Sequence, residues 1–116
     1  MREIKFRAWD IVRKRMLYNE DLWDIPYNEI FIHTPDQRAL EVMQYTGLID
    51  RNGKEIYEGD ILDYGTYGKF EVVWHRGSFK IRKLGFKNGN LHYLGDCYFD
   101  ELMVVGNIYE DPELLG

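Results

Sequence analysis

The stretch QYTGLIDRNGKEIYEGDIL, Gln44 to Leu62, decides the fold. It sets Gly47, Asn52-Gly53 and Gly59-Asp60 between short apolar runs, with Lys54 beside a glycine. Two kinds of ligand loop share that outline, and both fail here on spacing. A phosphate loop needs four residues between its glycines, then Lys followed by Ser or Thr, so that backbone N–H groups cradle phosphate and the hydroxyl holds magnesium. Gly47 to Gly53 leaves one residue too many, and Glu55 stands in place of the hydroxyl and would repel phosphate. A calcium loop needs oxygen ligands at alternate positions and glycine at the sixth. Counted from Asp50, Lys54 is fifth and Glu55 sixth, so a cation sits where a ligand belongs. The Asn-Gly pair suits the tip of a two-residue hairpin, because both residues accept positive φ. In "YEGD" a second turn follows, where Asp60 can bond local backbone N–H groups. Gly47, Asn52, Gly53, Gly59 and Asp60 are therefore read as structural turn positions opening a β-barrel.

Toward the C-terminus, "DILDYG", "GKFEVVWHR" and "FKIRKLGF" read as strands, "KNGN" as another Asn-Gly turn, and "LHYLG" and "MVVGNIYE" as the closing strands. Short strands joined by Gly and Asn turns predict a small barrel or sandwich. Closure of a barrel removes edges that would pair with other chains. The tail "EDPELLG" reads as Asp111 capping a helical turn with Pro112 at its first position, docked through Leu114 and Leu115.

Toward the N-terminus, Ile4, Phe6 and Ala8 alternate with Lys5, Arg7 and Trp9, the period of a strand. "DIVRKR" is a turn and "MLYN" its return strand. Residues 20–28 are irregular, with Pro26 barring a central strand. "EIFIH", residues 29–33, is a short strand, Thr34-Pro35 opens a helical turn, and "LEVMQYTG" is strand-like. The expected organisation is one compact unit: an N-terminal hairpin and irregular segment over 1–51, packed on a barrel over 52–116.

The chain has 116 residues and 45% apolar content, enough for one core. Its nine Tyr, six Phe and three Trp suit both small β-domains and interfaces, since Tyr and Trp pack while keeping a polar tip in water. A net charge of −5 opposes nucleic acid and anionic lipid on average. Cys97 is the only cysteine, so no intrachain disulfide can form, which fits a reducing cytoplasm. The first ten residues have no apolar h-region, and no run approaches the ~20 apolar residues of a spanning helix. No membrane partner is expected.

His33, His75, His92 and Cys97 are the soft-metal candidates, but no CxxC or HxxxH spacing exists, so no metal and no cofactor is expected. Asp96 beside Cys97 disfavours the thiolate a nucleophile needs. Asp60, Asp63, Glu55 and Glu58 are read as turn and surface carboxylates. An enzyme would need a pocket joining His75 or His92 to Cys97 and a carboxylate; none is expected, and no catalytic residue is assigned. One charge feature stands out. From Val72 to Gly95 there is no acid, while Arg76, Lys80, Arg82, Lys83 and Lys87 are interleaved with Trp74, His75, Phe79 and Phe86. Small barrels bind single strands with such faces, phosphates on cations and bases on rings. Trp74, Arg76, Lys80, Arg82 and Lys83 are therefore the candidate nucleic-acid residues. Lys5, Arg7, Arg13, Lys14 and Arg15 form a second basic group.

"MREIKFRAWD", "MQYTGLIDRNGKEIYEGDIL" and "VVGNIYEDPELL", in this order, resemble the successive blocks of the YopX family of bacteriophage and prophage proteins. The stretch between Lys69 and Glu101 resembles it much less. The resemblance implies a phage-encoded cytoplasmic protein, mainly β, with an SH3-like barrel that begins at Glu58–Leu62 and ends in "VVGNIYE". It carries over no activity and no catalytic residue. The expectation is a non-enzymatic module that binds a host or phage protein or forms a homo-oligomer. The alternative is a single-stranded nucleic-acid-binding barrel using the basic-aromatic face at 74–87.

Overall fold

Nine strands in two antiparallel sheets account for most of the described residues, which in this computed structural model are 4–18, 40–86 and 89–115. The strand expected at 29–33, the irregular 20–28, the turn at Thr34-Pro35 and the Lys87-Asn88 half of "KNGN" lie outside them. The first sheet has the order β2-β1-β3-β4, formed by β1 (Phe6–Asp10), β2 (Arg15–Tyr18), β3 (Leu40–Ile49) and β4 (Glu55–Tyr57). The second has the order β8-β7-β6-β5-β9, formed by β5 (Asp60–Asp63), β6 (Lys69–His75), β7 (Ser78–Lys83), β8 (Leu91–Tyr93) and β9 (Met103–Asn107). The protein is mainly β, and the second sheet curls into a half-barrel consistent with a small barrel fold. Ile56, Leu62, Phe70, Val72, Ile81, Leu94 and Leu102 fill it. Ile56 comes from β4, so a boundary at residue 52 cuts through a hairpin that serves both sheets.

The opening stretch is a hairpin, but its tip differs from the expected two-residue turn. Asp50 N–H donates to Lys54 O at 2.9 Å and Gly53 N–H to Asp50 O at 3.0 Å, leaving Arg51, Asn52 and Gly53 in the loop. Only Gly53 is left-handed there, with φ +79°, and Asn52 is not. The Asp50 carboxylate explains the change: its Oδ1 accepts from Asn52 N at 2.8 Å and Lys54 N at 2.9 Å, and its Oδ2 from Val104 N at 2.9 Å. Burial works to raise the Asp50 carboxyl, but these N–H bonds and Lys54 hold it below its ordinary value. Gly47 is not in a turn either. It sits within β3 at φ +86°, where Thr46, Gly47 and Leu48 stand opposite Ile56 in a bulge. The Thr46 hydroxyl donates to Ile56 O at 2.7 Å and accepts from Leu48 N at 3.2 Å, satisfying part of the interrupted ladder. Among the described residues, the two-residue turn lies instead between β6 and β7. There Arg76 (φ 49°) and Gly77 (φ 82°) connect the pair His75↔Ser78, the geometry that matches strand twist.

The sheets meet at Arg7 and Asp60. Arg7 Nη2 donates to Asp60 Oδ1 at 2.8 Å and to Glu58 O at 3.3 Å, with the guanidinium 4.7 Å from the Tyr57 ring centroid. Asp60 Oδ2 accepts from Tyr57 N at 2.7 Å. Burial raises the Asp60 carboxyl above its ordinary value, outweighing the opposing pull of Arg7 and the Tyr57 N–H. The second basic group is therefore not an open patch. Arg7 is buried, Lys5 is paired with Glu55, and Arg13 Nη1 meets Asp10 Oδ2 at 3.0 Å.

After β9 the chain turns on Asn107, whose Oδ1 accepts from Tyr109 N at 3.0 Å and Glu110 N at 2.8 Å. Asp111 does not cap forward as expected: its Oδ2 reaches back to Asn107 N at 3.1 Å. The turn Pro112–Leu115 lies against Gly106, where an added Cβ would meet Asp111 Oδ2 at 2.6 Å and Leu114 Cδ1 at 2.9 Å.

Candidate functional site

A tyrosine-lined cleft opens at one end of the half-barrel, with a volume of about 390 Å³. Its first wall is the β5–β6 loop. Asp63 Oδ1 accepts from Gly65 N at 2.9 Å, Tyr64 N donates to Gly68 O at 2.8 Å, and left-handed Gly65 and Gly68 let the loop fold tightly. That folding sets the Tyr64 and Tyr67 rings 5.0 Å apart and the Tyr64 ring against Phe70 at 6.1 Å. The second wall is β8 and the turn Leu94–Asp96, pinned by buried Leu94. Tyr98 N donates to the Tyr64 hydroxyl at 2.9 Å and ties the walls together. Phe70 and Ile81 lie deep in the cleft, while His92, Tyr93 and Asp96 are exposed around it.

His92, Cys97 and Asp96 share this cleft, although sequence spacing predicted no such pocket. They do not make an activated thiol. Burial raises the Cys97 thiol, Asp96 raises it further, and the hydrogen bond with Tyr64 opposes both only in part. Cys97 Sγ points to Tyr93 O at 3.7 Å. Among the described residues, no group of three His, Cys, Asp or Glu is placed to hold a metal ion.

The proposed nucleic-acid residues are not brought to one face. Register places Val73↔Lys80 and Glu71↔Arg82 on one side of the β6–β7 pair, and Trp74↔Phe79 on the other. Lys80 and Arg82 thus share a face, while Trp74 is turned away from them, its ring 4.8 Å from Phe79. Both cations are also committed. Arg82 Nη2 meets Glu71 Oε1 at 3.1 Å, one residue before the acid-free segment begins. Lys80 Nζ donates to His75 O at 3.0 Å and lies 5.1 Å from the Tyr93 centroid. Lys83 lies 5.7 Å from the Phe86 centroid, and Arg76 is at the hairpin tip. The cleft tyrosines escaped sequence reasoning. The signal was "DYGTYG", two tyrosines bracketed by glycines, read only as a strand end.

The family model described as YopX protein matches residues 5–116. Protein EF1440 from Enterococcus faecalis, known from a crystal structure, is 27% identical, with 100% of both chains covered and a TM-score of 0.66. Protein yopX from Bacillus subtilis is 21% identical, with 97% of this chain and 95% of that one covered and a TM-score of 0.57. No curated protein matches.

Proposed function

The chain belongs to the YopX family, and from that premise we propose that it is a non-enzymatic protein-binding module whose recognition surface is the tyrosine-lined cleft. The observation that supports this most is the cleft's composition: Tyr64 and Tyr67 beside Phe70 and Ile81, Tyr93 at the rim, and Tyr98 beside them 70% exposed. Tyrosine supplies large, rigid, amphipathic contact area, which is why it is enriched at protein interfaces and their energetic centres. A recess of this size admits a few partner side chains and leaves the rings to flank them. The nucleic-acid reading is the weaker one. Arg82 and Lys80 are held by Glu71 and His75, and Trp74 is on the other side of the sheet.

The half-barrel is read as an SH3-like barrel: four consecutive strands, β5 to β8, with β9 returning beside β5. The setting we propose is a phage- or prophage-encoded protein in the host bacterial cytoplasm. Among the described residues no helix is long and apolar enough to cross a membrane. The partner is a host or phage protein, or a second copy of the chain. A photo-crosslinking residue in place of Tyr98 tests the reading in cells. Crosslinking to protein, lost when Tyr67→Ala is added, is the expected result. Adducts with nucleic acid alone, or protein adducts indifferent to Tyr67→Ala, overturn it. Sedimentation velocity at micromolar concentration separates a second copy from a foreign partner.

A further inference from the structure

We propose that the cleft takes a cationic side chain, a lysine or arginine presented by the protein partner. This rests on the protein-binding reading and names the chemistry that would recognise the ligand. The faces of aromatic rings carry negative potential and attract ammonium and guanidinium groups, most strongly where several rings converge. Tyr64, Tyr67 and Phe70 converge here, and the Asp96 carboxylate stands beside them. Among the described residues, neither Lys nor Arg lines the cleft. The Asp96 carboxylate has no hydrogen-bond or ion-pair partner among the described residues, unlike Asp10, Asp50, Asp60 and Asp111. The second wall and its extension, Leu91 to Glu101, carry Asp96, Asp100 and Glu101, no Lys or Arg, and His92 as the one imidazole.

The other side of β8 displays this chemistry, where the pair Lys80↔Tyr93 faces away from Ile81↔His92. Lys80 Nζ lies 5.1 Å from the Tyr93 centroid, held there by the His75 carbonyl. Being bound to His75 O, Lys80 leaves Tyr64, Tyr67 and Asp96 as the open group. A nucleobase would stack on the same rings, but its phosphates would come close to Asp96, Asp100 and Glu101. A neutral apolar segment would fill the recess and leave the Asp96 charge unanswered.

The test is an NMR titration of the full chain with N-acetyl-argininamide and its uncharged isostere, N-acetyl-citrullinamide. Argininamide is expected to move the amide signals of Tyr67, His92, Asp96 and Cys97 and to bind about fivefold more tightly than citrullinamide. Asp96→Asn, an exposed substitution, should erase that preference, and Tyr67→Ala should weaken both ligands. Equal binding of the two ligands at the cleft overturns the cation proposal and leaves the protein-binding reading standing. Shifts confined to other surfaces, or no shift with either, also overturn it; the crosslink at position 98 then decides the broader reading separately.

Discussion

Arg7 Nη2 and Asp60 Oδ1 meet at 2.8 Å with both side chains almost wholly removed from water, one on β1 of the first sheet and the other at the start of β5 in the second. This pair fixes how the two sheets sit, and its energetics are not simply favourable. Desolvation of both charges offsets much of their attraction, and Arg7 Nε has no hydrogen-bond partner.

Breaking the pair from one side leaves a buried charge alone. Arg7→Met or Asp60→Asn should each cost about 3–5 kcal/mol of unfolding free energy. The double variant should cost much less than the sum, because neither charge is then stranded. Urea denaturation of the four proteins in a double-mutant cycle measures this; additive losses would contradict it.

Acid should loosen the β3–β4 tip. Asp50 has a carboxyl held below its ordinary value, so the unfolded chain takes up that proton first as pH falls. Its stabilisation is complete above about pH 4 and is lost as pH drops further through the folded value. Asp10, lowered by Arg13 and the N–H groups of Arg13 and Val12 against the effect of burial, acts in the same sense. Asp60 acts in the opposite sense, since burial raises it. Relative to Asp50→Asn, the wild type should therefore lose stability more steeply as pH falls below about 4, and Asp50→Asn should be the less stable protein at neutral pH.

Gly106→Ala should release the C-terminal turn. The added methyl would meet Asp111 and Leu114 inside contact distance, so the turn must move off β9. Gly53→Ala, by contrast, meets nothing within 4 Å and suffers only its φ of +79°. That substitution should cost about 1–2 kcal/mol by backbone strain without moving the tail. Hydrogen exchange should quicken over 109–115 in Gly106→Ala and stay at the wild-type rate there in Gly53→Ala.

Single-stranded DNA should not bind the β6–β7 face. With Arg82 on Glu71 and Lys80 on His75, an oligothymidylate titration at low salt should leave the amide signals of Val73, Lys80 and Arg82 in place. Salt-sensitive shifts there would restore the nucleic-acid reading.

The β-character was legible because strand period and glycine turns are local properties: the hairpin at Gly53 and the turn at Gly59 follow from residues adjacent in sequence. Tertiary partners were not. Asn52 adopts no positive φ because Asp50 collects the loop N–H groups, and one of its bonds comes from Val104, 54 residues away. Arg76-Gly77 makes the tight turn without an Asn-Gly signature, since Gly77 takes one left-handed position and Arg76 tolerates the other. Strand alternation puts Lys80 and Arg82 on one face and, by the same rule, sends Trp74 to the opposite side. Arg7 reads as a surface cation until Asp60, 53 residues on, comes to meet it. The cleft needed the β5–β6 loop and the β8 turn to be seen side by side.

The most direct test of the central claim is hydrogen exchange of the chain in complex with whatever protein the position-98 crosslink identifies. The account predicts added protection over 64–68 and 91–98. Protection on the outward face of Glu71, Val73, Lys80 and Arg82, with the cleft segments exchanging as in the free protein, would contradict it.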